Sequence, residues 1–297
     1  MVKFNKSEDL IYIIAPGSGC YNAKGKLFKA KELLSKHGFQ VSYNKDIFSG
    51  DVLPFFASPY KSRLESLHDA LNNSRVKIIW AFRGGYGSTQ LINDALKVKP
   101  LSHKVLIGFS DITALHIIFN QYYNMPSIHT SVLTSLLSQQ KHAIYDVISV
   151  LYGSKIDLAL RSINQRLNDC EAQLIGGNLT ILCNLIGTKA TPNFNNKILL
   201  IEEINEQPYV IHRNLTYLKN VGAFDNLKAL LFGDFINCGS NIENIVQIFV
   251  SQNMDKDIPV YYIDGVGHGN YNHPLILGAN AKISNDRLRQ QSQFSFA

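Results

Sequence analysis

Short apolar runs recur along the first half of the chain, each ended by a glycine- or proline-rich turn and followed by leucines at helical spacing. Ile11 to Ala15 stops at Pro16-Gly17-Ser18-Gly19, after which Leu27, Leu33 and Leu34 share one face of a helix that closes near Gly38. Ile78 to Phe82 precedes Arg83-Gly84-Gly85-Tyr86-Gly87, and Val105 to Ile107 precedes Ser110. Continuous apolar strands alternating with amphipathic helices predict an α/β domain with a parallel sheet, flavodoxin- or Rossmann-like, covered on both faces. Such sheets open their ligand crevice at the carboxyl ends of the strands, which makes the glycine-rich turn and Ser110 expected neighbours.

From Tyr152 to Cys170 the pattern weakens into Gly153, Ser154, Asn164, Asn168 and Asp169, which predicts a linker over 152–170 between domains at 1–151 and 171–297. Beyond it, Leu174-Ile175-Gly176-Gly177-Asn178 reads as the opening of a helix that runs through Leu185. Ile198 to Ile201 reads as a buried strand, Tyr209 to Leu218 as a helix, and Ala229 to Phe232 and Val260 to Ile263 as further strands. The later half is therefore expected to be a smaller, mixed α/β domain.

A chain of 297 residues with 45% hydrophobic and 18% charged positions has the balance of a globular protein large enough for two domains. Lys3, Lys6, Glu8 and Asp9 interrupt the first ten residues, so no secretory core is read there, and no stretch reaches the roughly 20 apolar residues that span a bilayer. Cys20, Cys170, Cys183 and Cys238 form no CxxC pair, which argues against a zinc site or disulfide framework and for a cytoplasmic location. The excess of 29 basic over 23 acidic residues is mild and forms no basic block, so neither a nucleic-acid nor a membrane partner is expected.

Four segments could carry chemistry. Val105 to His116 passes from strand to helix at Ser110, which lifts one hydroxyl off the sheet and aims free helix N–H groups beside it; serine serves equally as a plain helix N-cap. Gly108 stands two residues before the serine, but Ile112 occupies the place of the elbow's second glycine. Arg83 to Ser88 offers backbone N–H groups free of side-chain crowding and an arginine able to grip a carboxylate, yet lacks the ending of a phosphate loop. Glu202 and Glu203 close an apolar strand, where alternation lets only one of them face a crevice, and His268 sits among glycines in Gly265 to Asn270, with His273 as its nearest competitor. Serine needs a base within reach and the base needs an orienting carboxylate, so Ser110, His268 and Glu202 supply the three parts of a triad.

Together these segments resemble the LD-carboxypeptidases, the muramoyl-tetrapeptide carboxypeptidases of bacterial cell-wall recycling, a family that includes the microcin C self-immunity peptidases. The resemblance runs from Ile11 to Ile283. It rests on Arg83 to Gly87, Gly108 to Leu115, Gly176 to Leu179, Leu200 to Glu203 with Glu206, Pro208, Tyr209 and Arg213, and Gly267-His268 followed by Pro274 and Gly278. It implies Ser110 as nucleophile, Glu202 as charge-relay carboxylate, His268 as base, and an oxyanion hole from the N–H groups of Asp111 and Gly85, with Arg83, Gly84 and Tyr86 as substrate-binding candidates. It also implies a larger N-terminal and smaller C-terminal domain, the site between them, and a homodimer. The chain departs from the family at His212, where aspartate often precedes the arginine, at Glu203, where the second acid is often aspartate, and at Thr130-Ser131 after His129, where Gly-Pro is expected.

The activity so implied is removal of the terminal D-alanine from the L,D bond of a muropeptide tetrapeptide, with no metal and no cofactor. A peptidyl-nucleotide is the alternative substrate, although the sequence reveals no aromatic platform for its base. A non-catalytic binder of muropeptides or nucleotides is the third reading.

Overall fold

A computed structural model describes residues 2–138, 143–164 and 169–296. The expected strand-turn-helix units assemble a six-stranded sheet in the order Leu275–Leu277, Ser127–His129, Val105–Gly108, Val76–Ala81, Leu10–Ile14, Gln40–Tyr43. All neighbours run parallel except the first pair. Its central strands are buried almost end to end because both faces are covered. Tyr12, Ile14, Ile79 and Ala81 join one buried cluster while Ile11, Ile13, Ile78 and Trp80 join the other, as the two-residue period of a strand requires. Helix Tyr60–Asn72 covers the first face with Leu67, Ala70 and Leu71, and helix Ala23–Lys36 the second with Leu27, Ala30 and Leu34.

The second sheet has eight strands, ordered Ile156–Ala159, Arg287–Gln290, Asn280–Ser284, Cys170–Asn178, Lys197–Ile204, Ala229–Ile236, Val260–Tyr262, Arg161–Ser162. The four from Cys170–Asn178 to Val260–Tyr262 are mutually parallel, and antiparallel strands flank them. Strand alternation again divides its residues: Leu199, Ile201, Leu230 and Phe232 lie in the first cluster, Ile198, Leu200, Ala229 and Leu231 in the second. Each buried layer therefore continues from one sheet to the other.

Two expectations change. Residues Leu174 to Asn178 are the end of a strand, not the start of a helix, and the helix begins only at Leu179, where the Asn178 side chain accepts from Ile181 N–H at 3.1 Å. Parallel pairing with Ile198 to Glu202 overrides the local pattern, and Gly176 permits it: at φ +128° any Cβ there would collide with the Leu200 carbonyl oxygen. The stretch 152–170 is more than a crossing, since Ile156–Ala159 and Arg161–Ser162 each join an edge of the second sheet. Strands of four and two residues are too short to print an alternation; residues 165–168 of that stretch lie outside the described ones. Both edges recruited from it help make the second sheet the larger in strand number.

After Val260–Tyr262 the chain returns to the first sheet as Leu275–Leu277, pairing with Ser127–His129, so the loop between them is anchored in both sheets. Val2–Phe4 and Phe294–Phe296 pair parallel in a two-stranded ribbon. Among the described residues, no helix is long and apolar enough to cross a membrane.

Candidate active site

Ser110 lies at a sharp elbow. Phe109 is fully extended after strand Val105–Gly108, and Ser110 then takes φ +64°, a left-handed conformation unfavourable to a residue with a Cβ. A single 3₁₀ turn, Ser110–Ile112, leads into helix Thr113–Ile117. Ile112 replaces the elbow's second glycine without penalty because it packs inward, fully buried, with Gly108 leaving it room: a Cβ at Gly108 would lie 3.0 Å from the isoleucine.

The glycine-rich turn sits directly over this elbow. A Cβ at Gly84 would come within 3.1 Å of Ser110 Oγ and 3.6 Å of Asp111 N, so only glycine leaves space between the hydroxyl and the neighbouring N–H. The buried Asp111 carboxylate holds the turn in place, accepting from Gly87 N–H at 3.3 Å, Ser88 N–H at 2.9 Å and the Ser88 hydroxyl at 2.7 Å. Burial pushes the Asp111 carboxyl up, while these donors and the Arg63 charge pull it back. Arg63, also buried, donates to the carbonyls of Pro16, Gly87 and Ser58 and to Gln90 Oε1, bracing the same turn from beneath. Neither brace was legible in the sequence, since an arginine within a helical pattern and an aspartate after a serine have no special spacing.

Glu202 and Glu203 separate as alternation requires. Glu202, 0% exposed, accepts from His268 Nδ1–H at 2.6 Å through Oε2. Glu203 points the other way, accepting from Asn178 Nδ2 at 2.6 Å and from the N–H and hydroxyl of Thr180 at 2.9 and 2.7 Å, which fixes the start of helix Leu179–Leu185. Burial works against a charged His268, but the Glu202 charge and hydrogen bond outweigh it and raise the imidazole's pKa above its ordinary value. His273, the competitor, instead stacks edge-on against Tyr271 at 4.4 Å.

The two halves meet at the elbow. The Phe109 ring lies 4.5 Å from the His268 imidazole, centre to centre, which places the base candidate beside the residue preceding Ser110. Behind them are two buried histidines that the sequence did not single out: His116, bonded through Nε2 to the Gly108 carbonyl at 2.9 Å, and His129, 6.3 Å from it between ring centres. Burial pulls His116 down to about 4 and His129 well below the ordinary value.

Arg83 donates to the Gly19 carbonyl through Nη1, which aligns it along the Pro16–Gly19 turn. Tyr86 is 48% exposed and packs with Phe55, equally exposed, and the buried Phe56 at 6.1 and 5.6 Å; its backbone N–H donates to Ser18 Oγ at 3.1 Å. Only the folding of Leu53 to Ala57 against the Pro16–Gly19 turn brings these rings to the glycine turn, which is why no aromatic platform was legible in the sequence. Among the described residues no group of three or more His, Cys, Asp or Glu is placed to hold a metal ion. A surface concavity of about 680 Å³ between Lys24, Phe28, Lys31, Tyr43 and Phe48 contains none of the triad candidates, so volume is no guide to this site.

Comparison with known proteins follows the same residues. Positions 11–130 match the LD-carboxypeptidase N-terminal domain and positions 171–283 the LD-carboxypeptidase C-terminal domain. The chain is 31% identical over 294 residues to the murein tetrapeptide carboxypeptidase of Pseudomonas aeruginosa, covering 94% of each chain. It belongs to the LD-carboxypeptidase family. Among solved structures, the muramoyltetrapeptide carboxypeptidase of Oxalobacter formigenes superposes with a TM-score of 0.81 at 25% identity, covering 96% of this chain and 99% of that one. The microcin C7 self-immunity protein of Escherichia coli is 23% identical over 303 residues, covering 89% and 86%. The expected mixed α/β architecture is thus the family's, and carboxypeptidase activity is the family's chemistry. Between the two matched LD-carboxypeptidase domains lie the two short edge strands of the second sheet, Ile156–Ala159 and Arg161–Ser162.

Proposed function

We propose that the chain is a serine carboxypeptidase that cleaves the L,D bond before the terminal D-alanine of a muropeptide tetrapeptide. The observation that carries the reading is the Glu202–His268 hydrogen bond, buried at its carboxylate end, lying against Phe109 and so beside the strained Ser110. With Nδ1 donating to Glu202, the Nε2 of a neutral His268 is the ring's remaining acceptor. It takes the proton of Ser110 as Oγ attacks the substrate carbonyl, then passes it to the D-alanine nitrogen as the C–N bond breaks. Water repeats the sequence on the acyl-enzyme, releasing the shortened peptide and restoring the hydroxyl. Glu202 holds the imidazole's tautomer and balances the imidazolium. The N–H groups of Asp111 and Gly85 hold the oxyanion, each worth about 100- to 1000-fold in rate, and Arg83 receives the substrate's carboxylate.

The test is mass spectrometry of a disaccharide-tetrapeptide incubated with the pure protein. Loss of one alanine, abolished by Ser110→Ala and untouched by chelators, is expected; full activity in that variant ends the proposal. A serine-directed phosphonate should label Ser110, which a mere binder would not allow.

The exposed Tyr86 and Phe55 rings favour keeping a second substrate in view, a peptidyl-nucleotide whose base would stack there. Side-by-side turnover of the two substrates separates them. The reading extends to a cytoplasmic homodimer, and light scattering that returns the mass of a single chain removes the dimer.

A further inference from the structure

The loop carrying His268 is met on both sides by one residue of the neighbouring strand. Asp234, in Ala229–Ile236, accepts from Gly265 N–H at 3.0 Å through Oδ1, while its own N–H donates to the Val266 carbonyl at 2.8 Å and its carboxylate packs against Gly269. Gly265 and Gly269 bracket the histidine, so Asp234 holds the loop by hydrogen bonds before it and by close packing after it. The approach on the far side is so close that a Cβ at Gly269 would lie 2.5 Å from Asp234 Oδ2. A separate bond, from Gly267 N–H to Asn272 Oδ1 at 3.0 Å, ties the loop to itself and not to a strand.

We infer that Asp234 is a positioning residue for His268: its carboxylate latches the loop by its bond to Gly265 and its packing on Gly269, and sets a negative charge near the imidazole in addition to that of Glu202. The inference rests on the proposal that His268 is the base. The charged and titratable groups acting on that ring are Glu202 and Glu203 from Lys197–Ile204, Asp234 from Ala229–Ile236, and His129 from Ser127–His129. Of the three carboxylates, Glu202 grips the ring itself, Glu203 is committed to Asn178 and Thr180, and Asp234 alone grips the loop's backbone. Burial pushes the Asp234 carboxyl up, with the Asp264 charge adding, and the nearby Gly265 and Gly269 N–H groups and the His268 charge offset this only in part.

The experiment compares wild type with Asp234→Asn, which keeps the shape and one acceptor but removes the charge. Two readouts are taken: the NMR titration of the His268 ring and the pH profile of kcat/KM on the muropeptide. The expected result is a His268 midpoint lowered by roughly half a pH unit, the size of one partly screened charge several ångströms away. The acid limb of the profile moves with it, and the plateau kcat falls about tenfold with little change in KM, because a looser base is misplaced more often. A His268 midpoint that does not move overturns the inference whatever the activity does. A midpoint that moves while the activity profile stays fixed supports Asp234 and removes His268 as the base, so the two ideas fail separately. Should Asp234→Asn not fold, Gly269→Ala carries the test by displacing the carboxylate without deleting it: a fall in kcat at constant KM supports the latch, and an unchanged kcat overturns it.

Discussion

Glu202 meets His268 with one carboxylate oxygen at 2.6 Å and leaves the other, Oε1, buried without a protein partner among the described residues. Burying a charge so incompletely satisfied costs stability, which folding alone would not favour. Glu202→Gln is therefore expected to lower kcat by about 10⁴-fold, the scale of losing the carboxylate behind a catalytic histidine, without lowering the melting temperature. Kinetics and a thermal melt on one preparation check both halves. A variant that melts early but stays active would make Glu202 a structural residue.

Ser110 carries a Cβ at φ +64°, where an L-residue pays about 1 to 2 kcal/mol. Ser110→Gly removes that cost at the expense of some chain entropy in the unfolded state. It should be inactive yet up to about 1 kcal/mol more stable than wild type by urea denaturation. Loss of stability would show that the elbow is not strained.

Phe55 and Tyr86 are half-exposed beside the glycine turn and pack with the buried Phe56, over whose ring the Arg63 guanidinium lies at 4.2 Å. Truncating either exposed ring to alanine should raise KM about three- to tenfold with a smaller effect on kcat, the value of one stacked face. Tyr86→Phe should behave as wild type. Steady-state kinetics on muropeptide and peptidyl-nucleotide reveal which ring the platform receives, since only that substrate's KM should respond.

His116 and His129 are neutral in the folded protein because burial denies them a charge, whereas both protonate near pH 6.5 once unfolded. Their contribution is complete above pH 6.5 and is lost as the pH falls, for His116 down to about 4, where its own penalty levels off at about 3 kcal/mol. Acid unfolding should thus begin in mildly acidic buffer. His129→Leu, which removes two buried ring nitrogens lacking partners among the described residues, should move the acid midpoint to lower pH by circular dichroism. An unchanged midpoint would place acid sensitivity elsewhere.

Much of this architecture could be read from the chain because its central strands are buried on both faces and so appear as unbroken apolar runs. Ser110, Glu202 and His268 stood out for a related reason: each follows such a run at its carboxyl end, where side chains leave the sheet. What stayed illegible depended on contacts between distant segments. Gly176 and Gly177 resembled a helix start until strand Lys197–Ile204 paired alongside them, and Ile156–Ala159 became a strand only through pairing with Arg287–Gln290. Arg63, Asp111 and Asp234 brace the site through backbone groups, and a hydrogen bond to a carbonyl or N–H far along the chain leaves no periodic trace.

The span that carries His268 leaves the eight-stranded sheet at Val260–Tyr262 and enters the six-stranded one at Leu275–Leu277, while Ser110 follows a strand of the latter sheet. On the proposed triad, the reach from imidazole to hydroxyl is therefore set by a span fastened at both ends, one end in each sheet.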